Sequence, residues 1–348
     1  MQMTSGISAI DLFCGAGGLT YGFEQAGLPV KVGYDIDPAC KFPYERNNKS
    51  EFILEDVGSI SKSDLEQHFS KNTINVLVGC APCQPFSSYA RRYDDKDLKW
   101  KLLQDFARLV QESEPEIISM ENVPQLKHHI VFSEFIQMLK KMNYSVMSYE
   151  VNCPDYGIPQ ARKRLVLLAS KFGSVELVEP THNKERYETV RKTIGFLDPL
   201  VAGQTSKVDR LHQCSNLSDL NLRRIRASKP GGTWRDWPQD LVSKCHTKKS
   251  GQTYPGVYGR MEWDLPSPTI TTQCFGFGNG RFGHPEQDRA ISLREAALLQ
   301  TFPANYEFID SDETVVFDRI GRLIGNAVPV KLGQIVAQSI LNHITAYS

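Results

Sequence analysis

No apolar run in this sequence comes near the roughly 18 residues that a membrane span requires; Asn75-Val-Leu-Val-Gly79 is typical of its longest. The opening residues, Met1-Gln-Met-Thr-Ser-Gly6, carry neither the basic patch nor the apolar stretch of a secretory leader. Internal repeats and low-complexity tracts are also lacking, and the composition excludes a collagen-like fibre, a coiled coil and a disordered chain. Net charge is absent, because 40 Lys and Arg balance 40 Asp and Glu, so the protein is not coated in positive charge. No second C-x-x-C accompanies Cys80-Ala-Pro-Cys83, which removes the usual framework of a structural zinc site, and no metal is expected.

What is present is an ordinary enzyme composition, 41% hydrophobic and 23% charged, in 348 residues. That length exceeds one compact core and predicts two domains. Eight cysteines (Cys14, Cys40, Cys80, Cys83, Cys153, Cys214, Cys245, Cys274) are spread over the chain and read as reduced thiols of a cytoplasmic protein. The charge is uneven: nine basic residues against two acidic ones lie between Asn221 and Arg260, a formal +7. Such a run is either a solvated face or a docking surface for a polyanion.

Through about residue 170, short apolar runs alternate with amphipathic stretches, the pattern of βαβ units on a parallel sheet. Strands are predicted over Ile7 to Phe13, Lys31 to Tyr34, Phe52 to Leu54, Ile74 to Val78, Glu116 to Met120 and Arg164 to Ala169. The fold class is therefore α/β, a doubly wound Rossmann-like sheet. From Thr181 to Gly283 the periodicity dissolves into Gly-, Pro-, Thr- and Lys/Arg-rich sequence, a smaller irregular domain. Helical spacing returns over Leu293 to Thr301 and Lys331 to Ile344.

Two constellations carry chemistry. Asp11-Leu-Phe-Cys-Gly-Ala-Gly-Gly18 joins a strand to a helix, where glycines let a ligand approach the helix N-terminus. Asp35 and Asp56 fall at the ends of the next two strands, suited to a ribose diol and an adenine amine, although a lone Asp also reads as a helix cap. The second constellation, Gly79-Cys-Ala-Pro-Cys-Gln-Pro-Phe-Ser87, ends the fourth strand. A thioredoxin-like redox reading is disfavoured, because Pro85 opposes an immediate helix. A thiol fixed between prolines at this edge is a candidate nucleophile, with Glu121 of Glu121-Asn-Val123 as its acid or hydrogen-bonding neighbour. Arg162 and Arg164, two apart and expected on one side of a strand, suit a phosphate or a polarised base oxygen.

The ordered set Asp11–Gly18, Pro82-Cys83-Gln84, Glu121-Asn-Val123 and Gln160-x-Arg162-x-Arg164, with Arg294-Glu-Ala-Ala-Leu-Leu-Gln-Thr-Phe-Pro303 and Gly325-Asn-Ala-Val-Pro-Val330, resembles the DNA (cytosine-5)-methyltransferase family over essentially the whole chain. The resemblance implies S-adenosylmethionine (AdoMet) as cofactor and a methyl transfer to carbon 5 of a flipped cytosine. It implies Cys83 as nucleophile, with Glu121, Arg162 and Arg164 as catalytic partners. For the cofactor it implies Phe13, the backbone of Cys14, Gly15, Ala16, Gly17 and Gly18, then Leu19, Asp35, Ile36, Asp56, Val57, Pro82, Leu102, Asn326 and Val328. It further implies double-stranded DNA as partner, met by Ser87, Arg91, Arg92, Lys99, Arg223, Arg224, Arg235, Lys248 and Thr271. Lys99 stands where the family carries an Arg. By the same resemblance residues 1–180 and 320–348 form the catalytic domain, 181–290 the target-recognition domain and 291–319 a hinge. A monomer without membrane association is expected in the bacterial cytoplasm, nucleoid-associated through DNA, with any cognate restriction endonuclease acting independently. A transfer-RNA methyltransferase on the same fold and a catalytically dead DNA-binding module are the competing readings. The long Gly/aromatic/basic insert favours DNA over the first, and intact Cys83, Glu121, Arg162 and Asn326 oppose the second.

Overall fold

The computed structural model describes residues 6–70, 72–82 and 98–347, which divide into two compact units. The first takes residues up to Tyr156, then Lys163–Thr181, and Ala327 to the end. Its strands are β1 (Ile7–Leu12), β2 (Val30–Asp35), β3 (Glu51–Leu54), β4 (Ile74–Gly79), β5 (Ile117–Asn122) and β6 (Ser145–Asn152). The two-residue β7 (Gln160–Ala161) belongs to the second unit, and β8 (Lys163–Ser170) completes the sheet of the first. The order across that sheet is β3-β2-β1-β4-β5-β8-β6.

β1 to β5 run parallel, as the alternating pattern predicts. The far edge differs from the expected all-parallel sheet, because β8 is antiparallel to both β5 and β6. The physical reason is the connection. Only residues 153–162 join β6 to β8, too few for the dozen-residue crossover that a parallel return needs. The missed strand, β6, is an edge strand with mostly half-exposed side chains, so it lacks the apolar run that marks the buried strands.

Five helices follow the strands: α1 (Gly18–Gln25), α2 (Lys41–Asn47), α3 (Lys62–Glu66), α4 (Leu98–Ser113) and α5 (Ile130–Lys141). Strand alternation sends Ile10, Leu12, Leu77, Ile118, Met120 and Leu167 into one core with Leu103, Phe106 and Leu109 of α4 and Phe132, Phe135 and Leu139 of α5. Each such burial stabilises by roughly 1.5–3 kcal/mol.

The second unit comprises Gly157–Arg162 and His182–Asn326. It carries α6 (Val190–Ile194), α7 (Asp219–Ala227), α8 (Leu293–Leu299) and α9 (Phe317–Asn326), and a two-residue strand β9 (Ser267–Pro268) paired with β7. With so little ladder, buried arginines bond the carbonyls instead. Arg260 donates to the carbonyls of Ile225, Ser228, His284 and Gln287. Arg289, fully buried, is held by Glu295 through two contacts of 2.7 Å. The expected hinge, 291–319, packs within this unit, with Leu293, Ala296, Leu299 and Phe302 buried. Residues 157–162 and 320–326, expected in the catalytic domain, also belong here.

The chain returns to the first unit in α10 (Val330–Tyr347), which packs on α1. Two glycines allow that contact. A Cβ on Gly22 would lie 2.3 Å from the Val330 carbonyl oxygen, and one on Gly333 would lie 2.8 Å from that of Leu19. Gly22→Ala must therefore push two helix backbones apart, and a loss of about 1–3 kcal/mol is expected. Chemical denaturation measures it, and a variant as stable as the native protein would refute this account of the α1–α10 contact.

Candidate active site

β1 ends in a turn whose backbone alternates into the left-handed region at Phe13 (φ 61°), Gly15 (φ 54°) and Gly17 (φ 87°). Phe13 has a side chain and still adopts it, a strained conformation that the surroundings must hold. They do so through β2. Cys14 N donates to the Tyr34 carbonyl at 3.0 Å, and Gly15 N donates to Asp35 Oδ2 at 2.9 Å. Asp37 N donates to Asp35 Oδ1 at 2.9 Å, so one oxygen of this carboxylate is fixed locally while the other clamps the turn to the end of β2. A Cβ on Gly15 would meet nothing within 4 Å, so the turn presents open backbone. Ala16, Gly18 and Leu19 are buried beneath it as α1 begins.

The neighbouring strand ends continue the edge. Ile36 is 66% exposed, unusual for its type, beside half-buried Asp35. Asp56 Oδ1 accepts from Gly58 N at 2.9 Å, whereas Val57 is buried in the core. Arg108 of α4 donates through Nη2 to the Val57 and Gly58 carbonyls, 3.3 Å each, and so fixes this loop. The sequence reading missed Arg108, whose only signal was a cation within an apolar helix face. Leu102 is half-buried, Pro82 exposed, Val328 buried in the first unit, and Asn326 exposed in the second.

Asp11 stands apart from these acids. It is buried, accepts from Thr20 Oγ1 at 2.7 Å through Oδ2, and its Oδ1 has no hydrogen-bond partner among the described residues. Burial, opposed by the Thr20 hydroxyl and reinforced by the charge of Asp35, raises it from the ordinary 3.8 to about 7.

At the other half of the edge stands Glu121, buried at the end of β5. Arg164 Nε lies 2.6 Å from its Oε1, and Cys80 Sγ donates to its Oε2 at 2.7 Å. Asn122 Nδ2 donates to the Ala81 carbonyl at 3.1 Å, tying β5 to the residue before Pro82; the sequence reading gave Asn122 no role. Contrary to the expectation of one shared strand, Arg164 lies in β8, whereas Arg162 precedes that strand and belongs to the second unit. There it is buried, with Nη1 donating to Gln160 Oε1 at 3.4 Å and the Ile270 carbonyl at 3.3 Å. Cys83, Ser87, Arg91 and Arg92 lie outside the described residues, as does the side chain of Lys99.

The basic run of the second unit divides on inspection. Arg224, expected to meet DNA, is buried and donates to the Leu241 carbonyl, Asn221 Oδ1 and Ser243 Oγ, so it serves the interior. Arg260 is interior too. Arg223 pairs with Asp240 at 2.6 Å, and Arg235 lies over the Trp234 ring and donates to the Gln252 carbonyl. Trp234 and Trp237 are buried in the unit's core, where they fold it on itself. Lys229, Lys244, Lys248 and Lys249 remain exposed. Thr271 is exposed on a segment against which α9 fits closely, since a Cβ on Gly325 would lie 2.3 Å from the Thr272 nitrogen.

A family model described as C-5 cytosine-specific DNA methylase matches residues 7–342. The chain belongs to this family. It is 53% identical over 336 residues to the type II methylase M.HgiDII of Herpetosiphon aurantiacus, covering 96% of this chain and 94% of that relative. It is 31% identical to the type II methyltransferase M1.HphI of Haemophilus parahaemolyticus, covering 96% and 87%. Its fold is similar to that of the Entamoeba histolytica methyltransferase EhMeth, with TM-score 0.66, 17% identity and coverage of 98% and 99%. It is also similar to a Spodoptera frugiperda DNMT2 mutant, with TM-score 0.67, 15% identity and coverage of 97% and 100%.

As a C-5 cytosine-specific DNA methylase, the chain is an enzyme whose family uses AdoMet and acts on DNA. The open left-handed turn and the two strand-end acids fit an adenosine-bearing cofactor. The acid that fits least with a solvent-facing role is Asp11, and it generates a pH test. Its raised value means that the unfolded chain releases this proton near pH 4 and the folded methylase near pH 7. Stability from this group is therefore full below about pH 4 and falls as pH rises toward 7. In Asp11→Asn, which keeps a partner for Thr20, that fall should disappear. Urea melts between pH 4 and 8 measure it, and an unchanged slope in the variant would contradict the assignment.

Proposed function

We propose that this methylase transfers the methyl group of AdoMet to carbon 5 of one cytosine in a specific duplex DNA sequence, through a covalent adduct at Cys83. The observation that carries this reading is the buried Glu121 carboxylate, paired with Arg164 beside the backbone that leads into Pro82-Cys83. A stacked cytosine cannot reach a buried group, so the target base is flipped out of the duplex.

The thiolate of Cys83 forms a bond to carbon 6, and the electron pair of the 5,6 double bond moves to carbon 5. Glu121 accepts from the exocyclic amine, and a proton shared between its carboxyl group and ring nitrogen 3 neutralises the charge that addition pushes into the ring. Bound AdoMet supplies an electrophilic methyl group, which carbon 5 takes. A water molecule takes the carbon 5 proton, the electron pair of that bond restores the 5,6 double bond, and Cys83 leaves as thiolate with the carbon–sulfur pair. Arg164 keeps Glu121 in place, and Arg162 serves the base carbonyl.

For the cofactor, Phe13 and the backbone of residues 14–18 hold the methionine end, Asp35 the ribose and Asp56 the adenine amine. Ile36, Leu19, Val57, Pro82, Leu102, Asn326 and Val328 complete the set. DNA contacts fall to Ser87, Arg91, Arg92, Lys99, Arg223, Arg235, Lys248 and Thr271. Arg224 is dropped, because its donors are used inside the second unit. The protein acts as a monomer in the bacterial cytoplasm, independently of any restriction endonuclease.

Duplex DNA with 5-fluorocytosine at the target should form a denaturant-resistant adduct, since fluorine cannot leave as a proton does. Cys83→Ala should abolish adduct and turnover while leaving AdoMet affinity nearly unchanged. An adduct retained by Cys83→Ala would overturn the assignment. Asp35→Ala should raise the AdoMet dissociation constant in calorimetry, and unchanged binding would remove its ribose role. Lys248→Ala should weaken DNA binding and lower the salt slope by about one; a native slope would exclude a phosphate contact.

A further inference from the structure

Cys80 is a half-buried thiol that the reaction above does not use. Its position follows from the register of the sheet. Gly79 pairs with Met120 across β4 and β5, so the next residues along, Cys80 and Glu121, stand side by side on the same edge. On the other flank Glu121 pairs with Val166 and Asn122 with Leu165, so Arg164 is next beyond them on β8. Three neighbouring strands thus bring a thiol, a carboxylate and a guanidinium into one row. The distances complete it: 2.7 Å from Cys80 Sγ to Glu121 Oε2, and 2.6 Å from Arg164 Nε to Glu121 Oε1. Oε2 has the Cys80 thiol as its donor and Oε1 has the Arg164 guanidinium as its ion-pair partner, each from its own side. The bond from Asn122 Nδ2 to the Ala81 carbonyl independently holds the backbone that carries Cys80 against β5.

We propose that Cys80 is a positioning residue for the methyl transfer, clamping Glu121 so that Oε1 stays with Arg164 and Oε2 is presented to the cytosine. The chemistry suits the second task. A guanidinium is a permanent cation, so at 2.6 Å its charge commits Oε1 to it. A thiol is a weak donor, able to orient a carboxylate and give way to the exocyclic amine of a base, a stronger donor. Alanine at this place would free the carboxylate plane to turn about the Arg164 contact. Serine would restore a donor, though a stronger one that competes with the base.

The proposal rests on the role given above to Glu121, and the test separates the two. Single-turnover methyl transfer to duplex DNA is measured for the native protein, Cys80→Ala, Cys80→Ser, Glu121→Gln and the Cys80→Ala/Glu121→Gln double variant, with AdoMet affinity by calorimetry. Cys80→Ala should be slower by about five- to tenfold, the size of one hydrogen bond, with native AdoMet affinity. Cys80→Ser should recover part of that loss and move the high-pH limb of the rate profile. In the Glu121→Gln background, Cys80→Ala should cost little more, because residues acting through one another are not additive. Rates that multiply independently, or a fully active Cys80→Ala, overturn the proposal. A loss in Cys80→Ala accompanied by weaker AdoMet binding and no recovery in Cys80→Ser also overturns it, as a merely structural effect. If Cys80→Ala does not fold, an unmoved pH profile in Cys80→Ser is decisive against it. A native protein that transfers no methyl group to DNA overturns the functional reading and this proposal together, whereas additive variants of an active native protein overturn this proposal alone.

Discussion

The pairing of Glu121 with Arg164 depends on one strand running the wrong way. In a parallel sheet every strand ends at the same edge, which is how Asp56, Asp35, Phe13, Cys80 and Glu121 come to stand along it in that order, at or just beyond the ends of β3, β2, β1, β4 and β5. A sixth parallel strand beside β5 would add another strand end. Because β8 is antiparallel, it brings its beginning there instead, and Arg164 is the second residue of that beginning. The insertion of β8 between β5 and β6 gives the edge a cation that no strand terminus of the parallel set provides.

The second unit meets a different constraint. Its chain makes few ladders, so its buried carbonyls need donors from elsewhere, and arginine supplies several in fixed directions. Arg260 and Arg224 do this inside the unit. Part of the basic excess between residues 221 and 260 is therefore structural. A charge count over that stretch overstates the surface available to a polyanion, and the exposed lysines carry what is left.

Much of the first unit was legible because its inner strands are buried on both faces and read as apolar runs, with Gly or Asp at their ends. β6 was not, since an edge strand half open to solvent has no such run. Glu121 and Arg164 could be named from their motifs, but their partnership needed the antiparallel register, which no local pattern encodes. Arg162 and Arg164 sit two apart, a spacing that predicts one shared strand; the strand begins between them. Cys80 was visible only as half of a C-x-x-C, where its neighbour Cys83 absorbed the chemistry. The helical spacing of α8 says nothing about which core it joins, and residues 291–319 lie with the second unit, where Arg289 pairs with Glu295 six residues on.

The contact of Gly22 with α10 joins residues more than three hundred positions apart. During synthesis the strands and α1 emerge first, then the whole second unit, and only then the helix that covers α1. The apolar face of α1 must wait, unsheathed, while some three hundred residues are added, and the inserted unit can reach its own core earlier. Competence to modify DNA therefore begins only once α10 has been made and has docked on α1.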